Sequence, residues 1–194
     1  MSALVVLADA NILIPRTLRD YVVYLGKAGA FDLHWSQTIL NEMSRNLVKD
    51  YGFTPDDALE LELRLTEYLP WALVEPSVHN IRTAAQVEMN AKDRHVLAAA
   101  LASHANVILT DNDRHFPREW MVRYGMELLR AGDLLARIAA DKPEELRWAH
   151  RVTVANSPKN ENAILATLQR AIGETAAAAV RATVAPPDGG TRQA

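Results

Sequence analysis

The sequence contains no cysteine, which excludes disulfide bonds, thiolate metal sites and a cysteine nucleophile. Any bound metal must be held by oxygen or imidazole, and a reducing cytoplasm is the expected location. Long apolar runs are also missing. Met1 to Ala8 is too short for a membrane span and lacks a basic leader, so we expect neither a signal peptide nor a membrane anchor. The net charge of -3 gives no overall positive field, so contact with nucleic acid would require a local basic rim.

The 194 residues, 49% of them apolar, are enough for one substantial core and an appendage. We predict a main domain over residues 1–132 and a helical C-terminal extension over 133–183, interrupted near Asn156-Ser157-Pro158. Residues 184–194, with Pro186-Pro187 and Gly189-Gly190, are predicted to be a disordered tail. The extension could be a dimerisation arm or a substrate platform.

The main domain alternates short apolar runs with amphipathic segments. Five strands are predicted, at Leu4–Ala8, Leu33–Trp35, Ala72–Glu75, Asn106–Leu109 and Met126–Leu129. Between them, helices are expected over Pro15–Ala28, from Ser36 to Lys49, from Thr54 to Leu69, over Val78–Met89, from Asp93 onward, and after Phe116-Pro117. This alternation predicts an α/β fold, a three-layer α/β/α sandwich around a central parallel sheet of about five strands, followed by C-terminal helices.

Four acidic residues fall at the ends or first turns of predicted elements. Asp9 directly ends the first strand and Asp111 follows the fourth, which places both at the edge where parallel sheets bind ligands. Glu42 lies on the second helix and Asp93 in the first turn of a later one. Taken singly, Glu42 is more typical of a solvated surface, Asp93 of a charge at a helix start, and Asp111 of a turn. The position of Asp9 favours a functional site.

Clustered carboxylates are costly unless a cation neutralises them. Hard cations such as Mg²⁺, and Mn²⁺ as an alternative, prefer carboxylate and water oxygens, and Mg²⁺ commonly recruits substrate phosphate. An acidic pocket at this edge therefore indicates phosphate chemistry with one or two metal ions.

Four segments carry a resemblance to a known family: Leu7-Ala8-Asp9-Ala10-Asn11-Ile12-Leu13, Trp35 to Glu42, Asp93 to Ala100, and Thr110 to Pro117. They resemble the PIN-domain ribonucleases over roughly Leu4 to Leu129. The similarity is greatest to the VapC-type toxins of type II toxin-antitoxin systems, in the subgroup with a C-terminal helical extension. The resemblance implies a PIN-like fold and a Mg²⁺-dependent endoribonuclease that hydrolyses RNA by metal-activated water.

The resemblance also implies roles for individual residues. Asp9, Glu42 and Asp93 match the family's first three acidic motifs, and Asn11 matches a polar position that supports the first. The fourth motif departs from the usual pattern, because its usual positions hold Asn112 and His115 with extra carboxylates at Asp111 and Asp113.

We predict Asp111 as the fourth catalytic and metal-binding group. Asn112 and Asp113 stay open as alternatives. His115 is a further candidate, as a ligand or a proton shuttle, although a lone loop histidine is more often neither. For the substrate, Arg19, Arg45 and Arg94 are predicted to form a basic rim that attracts phosphate, although each alone is an ordinary solvated charge.

The expected partners follow from the same resemblance. They are the RNA substrate, a cognate antitoxin encoded by a neighbouring gene that inserts an arginine into the acidic pocket, and a second copy in a homodimer. No membrane association is expected.

Other functions fit the sequence less well. A haloacid dehalogenase type phosphatase needs a second aspartate where Asn11 stands, and a phospho-receiver domain needs an acidic pair and a late lysine that are not found. A PIN-fold protein that binds RNA or a partner without cleavage, and a PIN nuclease of RNA processing outside a toxin-antitoxin pair, stay open.

Overall fold

The computed structural model describes residues 4–185. Its centre is a sheet of five strands: β1 (Val5–Ala8), β2 (Asp32–Ser36), β3 (Leu73–Val74), β4 (Val107–Leu109) and β5 (Glu127–Leu129). The strands lie in the order β3-β2-β1-β4-β5 and every pairing is parallel. The fold class predicted from the alternating pattern, with its five strands, is confirmed.

Helices follow the strands and cover the sheet. Those before β4 are α1 (Ala10–Leu13), α2 (Arg16–Lys27), α3 (Gln37–Asp50), α4 (Pro55–Tyr68), α5 (Val78–Ala85) and α6 (Arg94–Ala102). Those after it are α7 (Arg118–Arg123), α8 (Ala131–Asp141), α9 (Pro143–Ala155), α10 (Glu161–Ile172) and α11 (Glu174–Val184). None of the helices within residues 4–185 has both the length and the apolar character that a membrane crossing requires.

Local sequence signals explain where two of the helices begin. Ser36 caps α3 by accepting from the backbone N–H of Ile39. Thr54 caps α4 in a reciprocal capping box with Asp57, with Pro55 as the first helical residue. These caps satisfy backbone donors that have no partner inside the helix, so both helices start where the sequence predicted.

Two predicted helices differ from the structure. The helix expected over Val78–Met89 ends at Ala85, and the chain then turns so that Val87 is buried and Asn90 accepts from the N–H of Lys92. As a result, the next helix begins at Arg94, and Asp93 is the residue before it instead of a residue of its first turn. Local hydrogen bonding of an asparagine competes with helix formation here.

The C-terminal helices pack against the main domain. On α2, the hydroxyl of Tyr21 bonds Nδ1 of His150 on α9 at 2.5 Å, and Nε2 of His150 lies 3.0 Å from Glu161 of α10. Both Tyr21 and His150 are buried. The division of the chain between residues 132 and 133 stays a prediction. Of the predicted tail, Val184 is the last residue of α11, and residues 186–194 lie outside the described part of the chain.

Candidate active site

Asp9 lies at the carboxyl edge of the sheet, at the centre of a hydrogen-bonded cluster. It follows β1, and its backbone N–H donates to the carbonyl of Leu109 at the end of the neighbouring β4. Its Oδ1 accepts from the N–H of Ala10, while Oδ2 accepts from Asn11 Nδ2 at 2.6 Å and from Thr110 Oγ1 at 2.8 Å. A carboxylate has about four acceptor positions, so one is left on Oδ1 for a further donor or a cation.

Asn11 joins the turn after β1 to the turn after β4. Besides Asp9, its Nδ2 donates to Thr110 Oγ1 at 2.8 Å, and its Oδ1 accepts from the N–H of Asp111 at 3.0 Å. Thr110 is fully buried and also accepts from the N–H of Asn112. The supporting position expected for Asn11 is therefore a clamp between the ends of two adjacent strands.

The environment of Asp9 disfavours its negative charge. Only 7% of the residue is exposed. Burial raises the pKa of the carboxyl, the hydrogen bonds from Thr110 and Ala10 offset this in part, and the charge of Glu42 raises the pKa further. A cation beside Asp9 would remove this cost, because it favours the charged form.

Glu42 lies on α3 and is close enough to Asp9 for the two charges to interact. Its Oε2 is 3.1 Å from Nε2 of His95 on α6, a contact that is short enough for an ion pair but not aligned for a hydrogen bond. Nδ1 of His95 lies 2.7 Å from the carbonyl of Lys92, and because a carbonyl can only accept, Nδ1 donates. A histidine held in this way presents Nε2 to the carboxylate or to a metal.

His95 is a residue that the sequence did not single out, although it stands two positions after Asp93. The sequence offered a signal for it, since Asp93 and His95 stand on either side of Arg94, the first residue of α6. Thr110 is a second residue whose role the sequence did not reveal, since it was placed only at the start of a turn. In the structure it connects Asp9 to Asn11 and Asn112 through hydrogen bonds.

Within the described chain, the side chains of the remaining acidic candidates make no hydrogen bond to this cluster. Among the described residues, the Asp93 side chain accepts no hydrogen bond, although it precedes α6. Asp111 uses Oδ1 to accept from the N–H of Ala131, the first residue of α8. Asp113 bonds Arg130 at 2.8 Å, and this partner holds the pKa of Asp113 below its usual range.

Within residues 4–185, no three His, Asp or Glu side chains form a ready metal-binding group. Mg²⁺ nevertheless fits the donors present, because it keeps several waters and is commonly held by one or two carboxylates together with substrate phosphate. The buried Asp9, with one free acceptor position and Glu42 nearby, meets that need.

Arg45 and Arg19, two of the arginines predicted to form the basic rim, differ in solvent exposure. Arg45 is exposed on α3, one turn after Glu42, and its role in a basic rim stays a prediction. Arg19 is a correction: it is only 6% exposed, and its Nη1 donates to the carbonyls of Leu13 and Ile14. Those carbonyls end the four-residue α1 and lack helical partners, which explains why the guanidinium is drawn inward.

Arg94 opens α6 and is partly buried, beside His95. The side chain of His115, the last of the second-tier candidates, lies outside the described part of the chain. Two clefts of about 980 and 1120 Å³ lie elsewhere on the surface and include none of the four predicted metal-binding acids.

Comparison with known proteins identifies the family to which this chain is similar. Residues 5–114 match the family model described as PIN domain, which is more than half of the chain. A segment of 76 residues is 36% identical to a protein of Mycobacterium tuberculosis (strain ATCC 25618 / H37Rv) named "Putative ribonuclease VapC50". That segment covers 34% of this chain and 45% of the relative, so it spans less than half of that protein.

No solved structure matches the chain significantly. The matched region ends before the last strand of the sheet, so it is shorter than the resemblance found in the motifs, but it contains Asp9, Glu42 and Asp93 in order. With the five-stranded parallel sheet and the carboxylate cluster at its carboxyl edge, the match establishes that this chain belongs to the PIN domain family.

Proposed function

We propose that this protein is a Mg²⁺-dependent endoribonuclease that hydrolyses RNA phosphodiester bonds, with Mn²⁺ as an alternative ion. The observation that carries the proposal is Asp9, a buried carboxylate at the carboxyl edge of a parallel sheet, with Glu42 beside it and one acceptor position free. The family and the similarity to a protein named as a ribonuclease support the same activity.

In this proposal Asp9, Glu42, Asp93 and Asp111 hold the metal. A bound Mg²⁺ would supply an activated water and a Lewis acid for the phosphoryl oxygen. Asn11 and Thr110 fix the orientation of Asp9 through Oδ2, and Nε2 of His95 lies 3.1 Å from Oε2 of Glu42. Hydrolysis breaks one P–O bond, adds the water oxygen to phosphorus and leaves a proton on the departing oxygen. Arg45 and Arg94 attract the phosphates on either side.

The test is cleavage of a mixed RNA by the purified full chain with and without Mg²⁺. Asp9→Asn keeps the size of the side chain and removes its charge, and it should abolish cleavage. Glu67→Gln, on the exposed face of α4, is the matched control and should cleave as the wild type does. Cleavage that survives both chelation and Asp9→Asn would contradict the proposal.

The proposed physiological role is the toxin of a VapBC-type pair, inhibited by an antitoxin encoded by a neighbouring gene. The similarity to a VapC-named protein supports it, over the 76 residues that match. Induced expression should arrest growth, the neighbouring gene should relieve the arrest, and Asp93→Asn should not cause it. We propose a homodimer and a cytoplasmic location as parts of the same role. Light scattering on the purified protein tests the dimer.

A PIN-fold protein that binds RNA or a partner without cleaving it is the second candidate. The observation that favours it is that both candidate carboxylates of the fourth motif already have partners: Asp111 accepts from the N–H of Ala131 through Oδ1, and Asp113 bonds Arg130. Such a protein would bind RNA equally well with and without Mg²⁺ and leave it intact.

A further inference from the structure

A third cleft, of about 640 Å³, opens beside the proposed catalytic site. Its walls come from the start of α3, from β3 and the segment after it, from α5 and from the first residues of α6. His95 belongs to both places, since it lines the cleft and contacts Glu42 at 3.1 Å. An inference about its occupant rests on the proposed nuclease function, which would bring RNA to this edge.

Much of the cleft wall is apolar. Leu73, Val74, Pro76 and Ile81 line it, and Leu73 and Ile81 are 38% and 53% exposed. Apolar walls with a few polar groups, at this volume, are typical of sites for small organic groups. In single-stranded RNA the group of that kind is an unstacked base, which proteins bind through its faces and its hydrogen-bonding edges.

Arg94 lines this cleft, and its guanidinium has few hydrogen-bond partners. Within the described chain its Nε is buried without a hydrogen-bond partner, and its Nη2 makes one long bond of 3.5 Å to the carbonyl of Met89. A buried donor without a partner is costly, so the guanidinium is suited to an acceptor that arrives with a ligand.

Glu75 lines the same cleft and its side chain is exposed. Arg94 lines it as well, so the cleft presents a carboxylate and a guanidinium. The carboxylate would repel a phosphate but would accept from the amino group of a base. Guanine matches both groups, because O6 and N7 accept from an arginine and its N1–H and amino group donate.

We propose that this cleft binds one unstacked guanine of the RNA substrate, next to the cleaved bond, with Arg94 donating to its acceptors and Glu75 accepting from its donors. Arg94 then determines base specificity and does not only attract phosphate. The preferred RNA would carry guanine at a fixed distance from the cleavage site.

Cleavage of a random-sequence RNA pool by the full chain, followed by sequencing of the ends, tests the base preference. The wild type should show guanine at one fixed position. Glu75→Gln removes the negative charge, and Arg94→Lys removes the planar guanidinium that can donate two parallel hydrogen bonds. Each variant should reduce the preference for guanine about tenfold or more, because a bidentate pair of hydrogen bonds discriminates between bases by about this factor. Glu88→Gln, exposed and outside the cleft, is the matched control. Absence of a guanine preference in the wild type, or its persistence in both variants, would overturn the proposal.

Binding of GMP, AMP, CMP and UMP, measured by calorimetry, gives a readout that needs no cleavage. The four share a phosphate, so differences report the base. GMP should bind about tenfold more tightly than the others, and both variants should lose that difference while unfolding at the same temperature as the wild type. Guanine-selective binding without RNA cleavage would refute the nuclease function alone. Cleavage with equal binding of all four would refute the guanine site alone.

Discussion

Asn11 provides the sharpest test of how the site is built. Replacing it with alanine removes three hydrogen bonds, to the Asp9 carboxylate, to Thr110 and from the N–H of Asp111. The bond to a charged group contributes about 1.5–3 kcal/mol and each of the others about 0.5–1.5 kcal/mol. Because the side chain is only partly buried, water replaces some of this, and we expect Asn11→Ala to lower the free energy of unfolding by about 3 kcal/mol.

Urea unfolding measures the loss of unfolding free energy, provided that the slope of this free energy against urea concentration is the same in both proteins. Calorimetric titration with Mg²⁺ measures the effect of the substitution on metal binding. Metal affinity should fall about 10- to 100-fold, as is typical when a residue that orients a ligand is lost. Asn112→Ala is the control, because only its backbone N–H contacts the cluster, and its stability should stay within about 0.5 kcal/mol of the wild type. A loss below about 1 kcal/mol for Asn11→Ala would refute the clamp between the two strand ends.

Three further predictions concern burial, packing and pH. Tyr21→Phe leaves Nδ1 of His150 without its buried partner and should cost about 1–3 kcal/mol in urea unfolding, whereas an unchanged midpoint would show that water replaces the hydroxyl. Gly132→Ala places a Cβ 2.5 Å from the carbonyl oxygen of Ile172, so the melting temperature should fall by the equivalent of about 1 kcal/mol despite the gain in helix propensity, and a rise would contradict that contact. Because the pKa of Asp9 is raised in the fold, protonation of Asp9 stabilises the metal-free protein. That stabilisation is fully present below a pH of about 4 and is lost as the pH rises through the raised pKa. Asp9→Asn should lack this pH dependence of the free energy of unfolding, and parallel curves for the two proteins would refute the prediction.

The fold was accessible from the sequence because its signals are local and repeated. Continuous apolar runs followed by polar residues mark strands that are covered on both faces, and capping residues such as Ser36 and Thr54 mark helix starts. The helix that ends at Ala85 shows the limit of this approach. Its apolar spacing continues to Met89, but burial of Val87 and the turn at Asn90 override it.

The site was less accessible, because a sequence places residues along the chain but does not show their partners. The position of Asp9 follows from the end of β1. The burial of Arg19 depends on the free carbonyls of a short helix that the sequence did not predict. The contact between Glu42 and His95 joins two helices that lie about a quarter of the sequence apart, so no local pattern could reveal it.

Two isosteric substitutions can show which residue is the fourth metal-binding group of the site. Asp111 keeps Oδ2 uncommitted on an exposed side chain, whereas Asp113 is held by Arg130 at 2.8 Å and lies 3.8 Å from Arg118. Asp111→Asn can still accept from the N–H of Ala131, so its stability should change little while its charge is lost. We therefore expect Asp111→Asn to weaken Mg²⁺ binding and cleavage at least tenfold.

Asp113→Asn should leave binding and cleavage unchanged and cost at most about 1 kcal/mol, because partly exposed ion pairs contribute little. Calorimetric Mg²⁺ titration and single-turnover cleavage of the same RNA compare the two variants directly. The reverse outcome would mean that metal or substrate draws Asp113 away from Arg130, and that the contact seen in the free protein is broken on binding. Equal activity of both variants would mean that Asp9, Glu42 and Asp93 are sufficient, since Mg²⁺ can complete its six ligands with water and phosphate.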